Sequence, residues 1–91
     1  MRATKIRMKP GCGSSNQLVE INEIYLTGCD EEGYYKKASV YDYLKEHPNT
    51  IQVNIWPYPE LIPEVSVKGE KYVRSTPDST GKDNLLKLPR E

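Results

Sequence analysis

Two cysteines, Cys12 and Cys29, and a single histidine, His47, carry the widest chemical range in this 91-residue chain. A structural zinc site needs four thiolate or imidazole ligands at short, repeated spacings, and these three residues do not supply them. No metal and no cofactor are therefore expected. One histidine without a cysteine partner nearby also gives no positional support for thiol catalysis. His47 precedes Pro48 and suits a helix end, where a partly positive ring interacts favourably with the terminal carbonyls. The two cysteines would stand at opposite ends of a strand over Leu18–Thr27. Ten strand residues span roughly 30 Å at about 3.3 Å each, whereas bridged Cα atoms lie within about 7 Å. Both are expected to be free thiols in a reducing compartment.

Other fragments of chemical motifs are incomplete. Gly11-Cys12-Gly13 lacks the further glycine and the Lys-Ser/Thr pair of a triphosphate loop, and reads as a mobile turn. Asp78-Ser79-Thr80-Gly81 has the letters of an aspartic protease loop, but that chemistry needs two loops sharing a proton. A Pro-Asp-Ser-Thr-Gly run is first of all turn chemistry. No acid and base stand out as a catalytic pair, so the chain is expected not to be an enzyme.

Two features suit binding. In Trp56-Pro57-Tyr58-Pro59, prolines fix aromatic rings into a low-entropy contact surface, so Trp56 and Tyr58 are candidate protein-contact residues. The alternative is that Trp56 only shields a sheet edge. Lys5, Arg7 and Lys9 form a basic stripe that could meet nucleic acid, with Tyr34 and Tyr35 available for stacking. Thirteen basic residues balance thirteen acidic ones, which argues against nucleic acid as a partner. The 20–32 stretch holds five acids and no base, so a basic strand paired with an acidic one explains the stripe without a ligand.

Elements must position these residues. Ala3 to Lys9 alternates, placing Thr4, Ile6 and Met8 inward. In Leu18–Thr27 the apolar phase slips between Val19/Ile21 and Ile24/Leu26, which predicts a one-residue bulge near Asn22 and Glu23. A short strand, Tyr34–Lys37, follows. Ser39 and Asp42 suggest a capping box for a short helix offering Val40, Tyr43, Leu44 and His47, ended by Pro48. Thr50–Trp56 alternates cleanly and predicts a central strand with Ile51, Val53 and Ile55 inward. Pro57, Pro59 and Pro63 mark a stiff connector. Glu64–Lys68 and Glu70–Ser75 form a hairpin around Lys68-Gly69, with Val65, Val67, Tyr72 and Val73 apolar. Asp83 can cap a final helical turn carrying Leu85, Leu86 and Leu88.

Together these predict one α+β domain over residues 1–91, frayed at 1–2 and 89–91. Its expected order is β-β-(β)-α-β-β-β, a mainly antiparallel sheet of about five strands with one helix packed on one face and a leucine clasp at the end. Apolar runs of two or three residues predict no membrane span, and a cytoplasmic setting follows. A monomer or weak homodimer with an unidentified protein partner is expected.

The stretch Gly69-Glu70-Lys71-Tyr72-Val73-Arg74-Ser75-Thr76-Pro77-Asp78-Ser79-Thr80, followed by Asp83-Asn84-Leu85-Leu86-Lys87-Leu88-Pro89, resembles the tail of a small bacterial family catalogued as domain of unknown function 3892. In that family the tail reads approximately G-x-x-Y-L-R-T-x-x-D-G-T, then D-N-L-L-x-L-P. Here Val73 stands where leucine is usual, one residue is added at Ser75 or Thr76, and Arg90-Glu91 replaces a common Glu-Cys ending, so a C-terminal thiol is not available. The resemblance implies the fold and a bacterial cytoplasmic setting, and no reaction. Within the tail, Tyr72, Arg74, Asp78, Thr80, Asp83 and Asn84 form the best polar cluster for a small molecule or anion, with Arg74 as the fork. The same residues also read as a clasp built from turns and caps.

Overall fold

A computed structural model describes residues 1–76 and 83–91. Among the described residues the order is β1 (Arg2–Met8), a 3-10 turn (Leu18–Glu20), β2 (Ile21–Thr27), β3 (Gly33–Lys36), α1 (Lys37–Glu46), β4 (Gln52–Val53), β5 (Leu61–Val65), β6 (Lys71–Ser75) and a second 3-10 turn (Asn84–Lys87). The α+β order β-β-β-α-β-β-β is the expected one. Its strands divide between two sheets, a four-stranded one in the order β3-β2-β1-β4 and the β5-β6 hairpin. Helix α1 packs against β5 and β6 and also against β2 and β3.

β1 and β2 are antiparallel and each carries one bulge. On β2, Asn22 is the extra residue between the pairs Arg7↔Glu23 and Met8↔Ile21, where the sequence phase slips. The bulge lets Ile21, Ile24 and Leu26 all face the core. On β1, Thr4 is extra between Ala3↔Leu26 and Lys5↔Tyr25, and Ala3 takes the buried position expected of Thr4. β2 starts at Ile21 rather than Leu18, because Leu18–Glu20 coils into the 3-10 turn. The Glu20 carbonyl accepts from Lys9 N at 2.8 Å and its carboxylate accepts from the Ser15 hydroxyl. The loop expected to be mobile is thus tied at its end.

Three further elements differ from expectation. Helix α1 begins at Lys37, two residues before Ser39, and Ser39 caps nothing. Its first turn is set instead by a tertiary contact, the Lys37 ammonium donating to the Val19 carbonyl and to Glu70. The end is as read: Val40 and Leu44 are buried, the His47 ring stacks on Tyr43 at 4.7 Å, and Pro48 follows.

The expected central strand over residues 50–56 is two residues long and lies at the sheet edge, parallel to β1. Ile51 and Val53 are buried as read, while Ile55 is half-buried. The remaining outer edge of β1 is occupied by the C-terminal segment, with Ile6 N donating to Pro89 O at 2.9 Å and Glu91 N donating to Ile6 O at 3.1 Å. Residues 89–91, expected to fray, lie along β1.

The first hairpin strand also starts earlier, at Leu61 rather than Glu64, while the second, Lys71–Ser75, lies where it is expected. β5 takes in Pro63, opposite Val73, a position open to proline because a missing amide does not interrupt an interior ladder. Ser66–Glu70 then turns, with Gly69 at φ +83°, a conformation glycine adopts without steric cost. Leu61 and Val73 are buried, whereas Val65 and Val67 are exposed and add nothing to the core.

The leucine clasp forms as expected. Leu85, Leu86 and Leu88 are buried in the same core as Ile6, Ile24, Val53 and Leu61. The Asp83 carboxylate accepts from Leu85 N at 2.9 Å and from Ser75 Oγ at 2.8 Å. Arg90 donates to the carbonyls of Gly13 at 3.0 Å, Ser15 at 2.7 Å and Leu86 at 3.1 Å.

One charge cluster joins distant parts of the chain. Glu70 accepts from both Lys37 and Lys9, the latter at 2.7 Å. Hydrogen bonds from Lys37, then from Lys9, hold its carboxyl down at about 2. Burial pushes the Lys37 ammonium down, against the pull of Glu70.

Two outcomes follow. Leu85→Ala should cost about 2–5 kcal/mol in urea unfolding; a loss below about 0.5 kcal/mol would show that the tail does not close the core. Glu70 gives stability present above its unfolded value of 4.5 and lost as pH falls toward about 2. The stability gap between wild type and Glu70→Gln should therefore narrow across that window, and a gap independent of pH would exclude this coupling.

Candidate functional site

Beyond β4 the chain leaves the sheet and folds into a short loop. Val53 N donates to Pro59 O at 2.8 Å and Tyr58 N to Ile55 O at 2.6 Å, which closes the loop on itself. Trp56-Pro57 is a cis peptide, and Tyr58 has φ 61°. Trp56 is 79% exposed. Its ring meets that of Tyr58 edge-on, with centroids 6.0 Å apart and planes at 89°. On the Tyr58 ring lies the Arg2 guanidinium, 4.0 Å from the centroid, and Arg2 also donates to Asn54 Oδ1 at 3.2 Å. The two residues singled out by sequence are therefore brought together, and Tyr58 also carries an arginine that sequence reasoning had left out of the contact. Nothing local to Arg2 signals this, because the pairing depends on β4 running parallel to β1.

The C-terminal polar cluster is divided. Asp78 and Thr80 lie outside the described residues. Arg74 pairs with Glu64, Nε to Oε1 at 3.6 Å. Asp83 is turned inward onto Ser75 and Leu85, and Asn84 is buried. Tyr72 and Asp83 line a groove of about 490 Å³ together with Gln17, Leu18, Val19 and Leu86, and Arg74 is not part of it.

The basic stripe is committed to carboxylates. Lys5 pairs with Glu91 at 3.0 Å, Arg7 with Glu23 at 3.1 Å and Lys9 with Glu70 at 2.7 Å. The hydrogen bond to Glu91 raises the Lys5 pKa, and the one to Glu70 raises that of Lys9. Lys5 also covers the ring of Tyr25, and Arg7 that of Tyr34. The Tyr35 hydroxyl donates to the Glu31 carbonyl.

A second groove, of about 690 Å³, was not visible in the sequence. Leu26, Cys29, Tyr35, Val40, Tyr43 and Thr50 line it, brought from five separate segments. Cys29 donates to the Glu31 carbonyl at 3.4 Å. Both cysteines are free. The hydrogen bond from Cys12 to Glu20 raises the thiol pKa, which disfavours the thiolate that nucleophilic chemistry needs. Among the described residues no three His, Cys, Asp or Glu side chains cluster to hold a metal ion, and no helix is long and apolar enough to cross a membrane.

Comparisons with curated proteins and with solved structures return no match. A family model described as protein of unknown function (DUF3892) matches residues 2–89. That match runs from the first residue of β1 through the leucine clasp and takes in Arg2, the aromatic loop and the C-terminal signature, so the chain belongs to the DUF3892 family.

Proposed function

We propose that the chain is a non-catalytic protein-interaction module that meets another protein through Trp56 and Tyr58. The observation that carries this reading is the 79% exposure of the single tryptophan. Isolated exposed apolar side chains are ordinary on protein surfaces. Here, however, Trp, Tyr and Arg meet at one corner, and these are the side chains that dominate binding hot spots. The edge-on contact between the rings lowers the side-chain freedom lost on association. A residue this exposed removes little apolar surface from water, which weighs against a role as a sheet-edge shield.

The alternative, nucleic-acid binding through Lys5, Arg7 and Lys9, is weaker. Each of those cations would have to leave a carboxylate partner 2.7–3.1 Å away before meeting a phosphate. A small-molecule or anion site at the C-terminal cluster is weaker still, since Arg74 is engaged with Glu64. The setting is the bacterial cytoplasm, where the half-buried thiols of Cys12 and Cys29 stay reduced. The protein acts as a monomer or weak homodimer.

Trp56→Ala separates a contact residue from a structural one. It should change unfolding stability by less than about 0.5 kcal/mol and abolish specific capture of a partner from a bacterial lysate. Capture that persists unchanged, or a large stability loss, would remove Trp56 from this role.

A further inference from the structure

We infer that the Trp56–Tyr58 corner takes an acidic peptide segment of its partner, with Arg2 receiving a carboxylate while the rings receive an adjacent apolar side chain. The inference rests on the corner being a protein-contact surface and adds the chemistry of what it contacts.

Arg2 stands apart from the other cations along β1 and just beyond its end. Lys5, Arg7 and Lys9 each pair with a carboxylate, whereas among the described residues Arg2 pairs with none. Its partners are the face of Tyr58 and the amide oxygen of Asn54. A guanidinium has five N–H donors in a planar fork. The bond to Asn54 uses one nitrogen, Nη1, and leaves the fork short of the bidentate acceptor that it matches best. Stacking on Tyr58 fixes the plane of the fork and lowers the entropy lost when a carboxylate binds.

The placement makes the two halves of the corner one site. The guanidinium and the indole each contact the same phenol ring, at 4.0 Å and 6.0 Å. An extended chain advancing roughly 3.3 Å per residue reaches both within about three residues. The partner segment thus carries a glutamate or aspartate close to a proline or another apolar side chain. A cationic segment would bring a like charge against Arg2, which already covers the Tyr58 face, and would have only the exposed indole of Trp56 to receive it.

Trp56 is the only tryptophan, so its emission reports occupancy directly. The probes are short synthetic peptides of alternating glutamate and proline, with matched peptides carrying glutamine or lysine in place of glutamate. The glutamate peptide should shift the emission saturably, and the glutamine peptide should bind about tenfold more weakly, as expected for loss of a charge-assisted hydrogen bond. Arg2→Gln should reduce affinity for the glutamate peptide to that for the glutamine peptide. Arg2→Lys, which keeps the charge and loses the fork, should fall between.

Equal binding of the glutamate and glutamine peptides, preference for the lysine peptide, or an unaltered affinity in Arg2→Gln would each overturn the inference. So would the absence of binding by every peptide. Self-association that Trp56→Ala weakens would make the occupant a second copy of the chain and overturn it too. Trp56-dependent capture of a partner without acidic-peptide binding would remove the inference and leave the protein-contact reading standing, whereas loss of both would remove both.

Discussion

The burial of Ile6 is the constraint on which the rest of the structure depends. Ile6 is fully buried in the middle of β1, so its amide and carbonyl must find protein partners or leave polar groups unsatisfied in the core. β2 lies on one side. On the other side β4 ends at Val53, and among the described residues it is the C-terminal segment that reaches Ile6, through Pro89 O and Glu91 N. The two ends of the chain are thereby joined in one sheet. The leucines just before that segment complete the core with little further ordering of the chain, because the bonds to Ile6 already fix their position. Asp83 helps from the other end, holding both Ser75 at the end of β6 and the first turn of the clasp.

Charge is organised in the same long-range manner. The chain is neutral overall, and its pairs join separate elements: Lys5 to Glu91, Lys71 to Asp42, and Lys9 and Lys37 to Glu70. Exposed pairs such as Lys71–Asp42 add little. Lys37 differs because it is buried, and removing an ammonium from water is costly unless the charge is paired and hydrogen-bonded. The Glu70 carboxylate and the Val19 carbonyl supply that compensation. The start of α1 therefore depends on a loop 33 residues away in sequence, and the cost of displacing Lys37 helps keep the β5-β6 hairpin against the helix.

Sequence was most informative where a local rule and the tertiary structure agree. The phase slip at Asn22 is visible as a bulge because a strand with one buried face cannot change parity otherwise. Asp83 reads as a cap because its acceptor lies next to the amides it serves. Ser39 misled for the opposite reason: its hydroxyl could cap a helix, but Lys37 already had a stronger, non-local anchor. Ala3 was missed because alternation gave Thr4 the inward position, and only pairing with β2 reveals the extra residue. Pro63 suggested a connector because a missing amide argues against an interior strand, although it does not argue against a strand in a two-stranded hairpin. Of the candidate site, Trp56 and Tyr58 were legible from composition. Arg2 was not, because its relation to Tyr58 is created by the parallel pairing of residues 50 positions apart.

That pairing also explains why an aromatic corner exists at all. Ile51 and Val53 are buried, and the alternation of residues 50–56 would carry Ile55 inward and Trp56 outward along a longer strand. The place such a strand would occupy beside β1 is taken by Arg90, which bridges to Ile6. Asn54 N makes the last contact, to Ala3 O at 2.9 Å, and the chain must then turn away from the sheet. Trp56 and Tyr58 fall in that turn, where they carry no core and where Tyr58 meets Arg2 at the start of the same β1. The closure that satisfies Ile6 thus takes the aromatic residues off the sheet and into a loop, so substitutions at the corner can alter what it contacts while leaving the core intact.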